Sequence, residues 1–167
     1  MNEQDQTDNQ ETVDAADTEQ YGYADYTAEE LLEQAQSNAQ ATIMATALFI
    51  HQKGISLEEW ATALGTTFAL AWDDTRSWEA GEFLDAILTN LRSLGATVLS
   101  AQLGVDHAEA TTIGFPSMDL CVLFSIDPAL VARFNEATRV LATKVGLTWE
   151  WRRSRDRMYY TVRRAGT

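Results

Sequence analysis

Asp127 to Val162 reads DPALVARFNEATRVLATKVGLTWEWRRSRDRMYYTV, and inside it the apolar spacing switches from a helical to an extended period. Asp127-Pro128 spells a helix start, with the acid as N-cap and proline at the first helical position, where its missing N–H is not needed. Leu130, Val131, Phe134, Ala137, Leu141 and Val145 then follow a 3.6-residue period, and Gly146-Leu147 closes the helix. After the glycine the alternation is by two. Thr148-Trp149-Glu150-Trp151 and Met158-Tyr159-Tyr160-Thr161-Val162 read as strands, joined as a hairpin by the polar link Arg152 to Arg157. Strand alternation sets Trp149 with Trp151 on one face, and Tyr160 with Val162 on one face of the second strand. A helix that returns onto a hairpin makes a layered domain.

Working backwards, Met118 to Ile126 is a short continuous apolar run that predicts a buried central strand, with a helix as the second reading, disfavoured by Pro128 just beyond. Ala108 to Phe115 predicts another strand, stopped by Pro116, while Ala96 to Leu103 reads equally as helix or strand. The N-terminal half is helical. Thr27-Ala28-Glu29-Glu30 is a capping box, with Tyr26 placed to staple onto Leu31. Small or apolar residues recur at Leu32, Ala35, Ala39, Ile43, Ala47 and Ile50. Gly54-Ile55 ends that helix. Ser56-Leu57-Glu58-Glu59 is a second capping box, opening a helix with Trp60, Leu64, Phe68 and Ala71 or Trp72 on one face. The short connection predicts two antiparallel neighbours. Ser77 is placed to cap a third helix bearing Phe83, Leu84, Ile87, Leu88, Leu91 and Leu94, stopped by Gly95. The expected fold is α+β: three N-terminal helices, then strand-strand-helix-strand-strand. The sheet is expected to be mostly antiparallel, with the helices packed largely on one face.

Pro128 to Gly146, followed by Leu147 to Trp151 and Tyr159 to Val162, resembles the ending of vinyl-reductase-like and haem-NO-binding-like ligand-sensing domains. The resemblance is one of layout and covers roughly the last third of the chain. It implies a small apolar ligand held between helices and sheet. The Tyr-x-Ser-x-Arg haem motif is missing, and Cys121 is the only cysteine, so no binding residue is carried over.

Charge divides the chain. Residues 1–52 hold 11 carboxylates and no lysine or arginine, so of 25 carboxylates 14 remain against all 12 cations. The remainder therefore carries −2 of the net −13, and six arginines crowd residues 152–164. Residues 1–26, rich in Asp, Glu, Gln, Asn and Thr, predict a disordered acidic arm, and residues 27–167 one domain. Tyr21, Tyr23 and Tyr26 lie at its junction. The acidity works against nucleic acid and anionic membrane as partners. No secretory signal is read, and a cytoplasmic location is the expectation.

The motifs of chemistry are sparse. His51, His107 and Cys121 show no metal-ligand spacing, so no metal or cofactor is implied. His51 suits a helix C-terminus. His107, between Asp106 and Glu109, has the neighbours of a tuned base but reads more simply as a turn residue. A carboxylate pair for catalysis would combine different elements, such as Asp74 with Glu82, but nothing in the sequence selects that pair and helix termini explain these charges more simply. Two groups remain as binding candidates. Trp60, Phe68, Trp72, Trp78, Phe83, Trp149, Trp151 and Tyr160 are large rings among small residues, the makings of a lined pocket or of an ordinary core. Arg152, Arg153, Arg155 and Arg157 cluster around the hairpin turn and suit an anion. The leading expectation is a non-catalytic binding or sensory domain for a small apolar or aromatic ligand. The alternative is an acidic adaptor or chaperone-like interaction protein. Small size, low pI and an acidic arm resemble secretion-type chaperones, and a second copy of the chain is among the expected partners. An enzyme with dispersed catalytic residues is the third reading.

Overall fold

A computed structural model describes residues 26–166. Apart from Tyr26, the expected arm lies outside the described residues, as do Tyr21 and Tyr23. The fold is α+β, an antiparallel four-stranded sheet against which helices pack.

Helix α1 (Ala28–Gln52) starts at the capping box read from sequence. Glu30 N–H donates to Thr27 Oγ1 at 3.2 Å, and Thr27 N–H donates to Glu30 Oε2 at 2.8 Å. These bonds hold the exposed Glu30 carboxyl below its usual range. Gly54, at φ +71°, ends the helix and lets Ile55 N–H reach back to the Ile50 carbonyl at 3.2 Å. Tyr26 and Leu31, the expected staple pair, are both largely exposed. The expected face is met at Ile43, Ala47 and Ile50, which pack into the cores, but the buried face is widened by Gln40 and Met44. Gln40 is held there by hydrogen bonds. Its Nε2 donates to the carbonyls of Leu94 (2.6 Å) and Gly114 (2.9 Å), and its Oε1 accepts from Ser117 N–H (2.8 Å).

Helix α2 (Leu57–Phe68) is capped by Ser56 alone, since only the Ser56 Oγ acceptor half of its box forms. It continues into a 3-10 turn, Ala69–Ala71. Its main neighbour is not α1, as the short connection implied, but the later helix α6 (Glu136–Lys144). Gly65 allows this approach: a β-carbon there would collide with the Ala137 carbonyl oxygen and sit 2.9 Å from Val140 Cβ. Lys144 locks the far end by donating to the Ala69 (2.6 Å) and Trp72 (3.0 Å) carbonyls. Helix α3 (Ala80–Ser93) starts at Glu79 rather than just after Ser77. Its first amides are taken by a turn of the sheet: Ala80 N–H and Gly81 N–H each donate at 2.8 Å, to Val105 and Gly104. That tertiary demand outweighs the local capping signal at Ser77.

The ambiguous segment is a strand, β1 (Thr97–Leu103), paired with β2 (His107–Ile113). The expected strand Met118 to Ile126 is instead helix α4 (Met118–Leu123), with Ser117 as N-cap. The sheet order explains this correction. It runs β1-β2-β4-β3, so both sides of β2 are already occupied and no central slot is left. The expected helix over 128–146 is also divided, into α5 (Pro128–Ala132), a 3-10 turn Arg133–Asn135, and α6. At this point the Asn135 carbonyl accepts from Trp149 Nε1 at 3.1 Å. The C-terminal hairpin extends further than read: β3 (Leu147–Ser154) and β4 (Arg157–Arg164) leave only Arg155-Asp156 as the turn.

One sheet face is buried. Ala108, Ala110, Thr112, Leu147, Trp149, Met158, Tyr160 and Val162 pack against α3 and α6. A second cluster joins Met44, Ala47 and Leu57 to Cys121, Ile126 and Val131, and it holds α1 onto α4 and α5.

Candidate interaction surface

The aromatic candidates form a packed row. Trp78 lies 4.9 Å from Trp72, Trp72 5.1 Å from Phe83, Phe83 6.4 Å from Trp149, and Trp149 stacks on Tyr160 at 5.0 Å, measured between ring centroids. The indole N–H groups of Trp78 and Trp151 are engaged as well. Trp78 Nε1 donates to the Asp73 carbonyl (2.7 Å), and Trp151 Nε1 to Glu136 Oε1 (3.1 Å). Trp60 belongs to a separate group, 6.2 Å from Phe134. Phe68 stands apart, 44% exposed. Spacing at van der Waals contact makes these rings one another's neighbours, which is how a core is filled.

Of these aromatic candidates only Tyr160 borders either of two surface hollows. One hollow of about 270 Å³ is on the open face of the sheet, lined by Ser100, Gln102, Glu109, Thr111, Arg152, Tyr159 and Thr161. A groove of about 470 Å³ between α2 and α6 is lined by Glu58, Thr62, Glu136, Arg139, Val140 and Lys144. Neither is built from the tryptophans.

The titratable candidates are dispersed. His107 meets Glu109 at 3.1 Å, while Asp106 pairs with Arg164 at 2.8 Å. Asp74 and Glu82 do not pair with each other: Asp74 faces Lys144 (3.7 Å) and Glu82 faces Arg76 (3.1 Å). Hydrogen bonds from the Thr75 hydroxyl and amide hold Asp73 below its usual range. Burial pushes the Cys121 thiol up, away from thiolate. Among the described residues, no three of His, Cys, Asp or Glu stand together as a metal ion would require.

The arginine candidates flank one turn but divide between the two faces of the sheet. Arg152, Arg153, Arg155 and Arg157 surround the β3–β4 turn, with Arg152 stacked on the Tyr159 ring at 3.7 Å. Arg153 projects to the helical side and contacts Met118 Sδ at 3.4 Å, so the hairpin tip abuts α4. Helix α4 is what the sequence reading missed. Cys121 anchors it inside, while Val122 is 76% and Leu123 73% exposed, and Met118 is exposed beside them. The signal was present as Ser117 followed by Asp119, an N-cap with an acid in the first turn.

An apolar knob thus borders the Arg153 guanidinium at the hairpin tip, and such pairing of apolar surface with charge suits a protein segment. No helix of the described residues is long and apolar enough to cross a membrane. Comparison with protein-family models, with curated proteins and with solved structures found no match for this chain, so the site stands on its own geometry.

Proposed function

We propose that the protein is a non-catalytic protein-interaction module, adaptor or chaperone-like, that holds a partner on α4 and the adjoining hairpin tip. The observation that carries this reading is the exposure of Val122 and Leu123 on a helix whose opposite side is firmly anchored. Covering two such side chains is worth about 1.5–3 kcal/mol each, enough to anchor a small interface. The packed aromatic row favours this over the apolar-ligand reading, because rings in mutual contact leave their surface already used.

The test compares capture by immobilised wild type with capture by a Val122→Asp, Leu123→Asp variant. A protein retained by the first and lost by the second, at unchanged melting temperature, supports the reading. A protein retained equally by both overturns it. So does a small molecule that survives purification and appears in the native mass spectrum.

A further inference from the structure

We infer that the arginine cluster at the β3–β4 tip is the docking site of the chain's own acidic N-terminal segment, residues 1–25. The inference rests on the same surface as the interaction reading and names the occupant that competes for it. Arg76, Arg133, Arg139, Arg163 and Arg164 each have a carboxylate partner. Among the described residues, Arg153, Arg155 and Arg157 have none within ion-pair distance, and Arg152 has only the Tyr159 ring. Negative charge is present around the tip, as Glu109 lines the same hollow as Arg152 and Asp156 sits in the turn, but none of it is within ion-pair distance of these four arginines. A guanidinium fork takes a carboxylate through two parallel hydrogen bonds, so the tip offers several unused forks.

Residues 1–25 bring eight carboxylates and no lysine or arginine. Reach is sufficient. Met118 touches Arg153, and Ser117 is bonded to Gln40, so the tip lies beside the middle of α1. From Thr27 to Gln40 is ~20 Å along a helix. An extended chain covers that distance in roughly six residues, so the carboxylates from Glu19 back to Glu3 all come within range. A tethered segment acts at an effective concentration on the order of mM. An acidic partner must therefore displace the arm before it can use the arginines.

The test uses the full chain with a nitroxide on Ala16→Cys, and with Cys121, which is buried, replaced by alanine. The backbone amides of Met118 to Leu123 and Arg153 to Arg157 are expected to lose more than half their signal intensity at low salt. Intensity should return at about 0.5 M salt, where the screening length is only a few ångströms. It should also return in an Arg155→Glu, Arg157→Glu variant. Absence of selective broadening overturns the proposal, as does broadening that survives charge reversal. Equal broadening of unlabelled chains mixed with spin-labelled ones assigns the contact to a second copy and overturns it too. The readout requires no partner, so failure of the arm contact leaves capture through Val122 and Leu123 standing, and the reverse also holds.

Discussion

Gln40 is the residue on which the most elements depend. One side chain joins α1 to the ends of α3 and β2 and to the start of α4 through three hydrogen bonds. Gln40→Leu keeps the volume but leaves two carbonyls and an amide without partners. Each buried unpaired group costs ~1–3 kcal/mol, so a loss of about 3 kcal/mol in chemical denaturation is expected. Gln40→Glu would point a carboxylate at two carbonyl oxygens, so its pKa in the fold is raised. A raised pKa means the variant keeps its stability in acid and loses it as pH climbs through the folded value. A variant whose stability deficit is the same at acid and neutral pH would contradict this. Tyr160 gives the opposite lesson. Its hydroxyl lies toward Thr112, yet neither group has a hydrogen-bond partner of good geometry. Replacing both with shape-matched apolar residues, Tyr160→Phe with Thr112→Val, is expected to be neutral or stabilising at pH 7. Burial also pushes the phenol up to about 12, above its ordinary ~10. Stability from the neutral form is therefore complete below pH ~10 and is lost as pH rises towards 12, by up to ~3 kcal/mol, a loss that Tyr160→Phe should abolish. At Gly65 two effects oppose each other. Alanine would gain ~1 kcal/mol of helix propensity but overpack against a backbone oxygen, at ~1–3 kcal/mol. The backbone of α6 cannot rotate away as a side chain would, so Gly65→Ala should lower the melting temperature.

At the scale of elements, the hairpin turn carries a local contradiction. Arg155 has φ +58°, the left-handed region that glycine occupies without strain. Arg155→Gly is therefore expected to stabilise the hairpin by ~1 kcal/mol while removing one guanidinium from the tip. Thermal unfolding checks the first effect and arm contact the second. Features that are settled locally were legible in the sequence: the Thr27 box, the Gly54 stop, and the alternation that places Trp149, Tyr160 and Val162 in the core. Features settled by distant neighbours were not. A short apolar run such as Leu120 to Phe124 is consistent with strand or helix, and the choice was made by β4 taking the free side of β2. A glutamine inside a polar helix reads as surface, so Gln40 gave no sign that it would meet three backbone groups. That the arginines flank one turn was legible because a hairpin gathers its own ends. Their contact with α4 was hidden by the misread strand.

For the molecule as a whole, the described residues divide by how much covers them. Helix α3 and strands β2 and β4 share the larger core, whereas the first two turns of α1 run past the body with Leu31 and Leu32 exposed. Hydrogen exchange should follow that division. Amides of Phe83 to Leu91 are expected to exchange only on global unfolding, and those of Leu31 to Ala35 by local fraying. Equal protection of the two segments would mean that something covers the overhang. The charge division matters at this scale too, because most of the net −13 sits before Lys53 while the only dense basic region is one hairpin. Finally, the register of β1 shifts between Val98 and Ser100, so Leu99 stands out of step with β2 along the sheet's exposed margin. A straight strand laid against that margin would find its donors and acceptors misaligned partway along. On its β1 side the ladder therefore does not invite a fifth rung. A chain with an open sheet face and apolar side chains in solvent is thereby guarded, along that one border, against growing into a fibre.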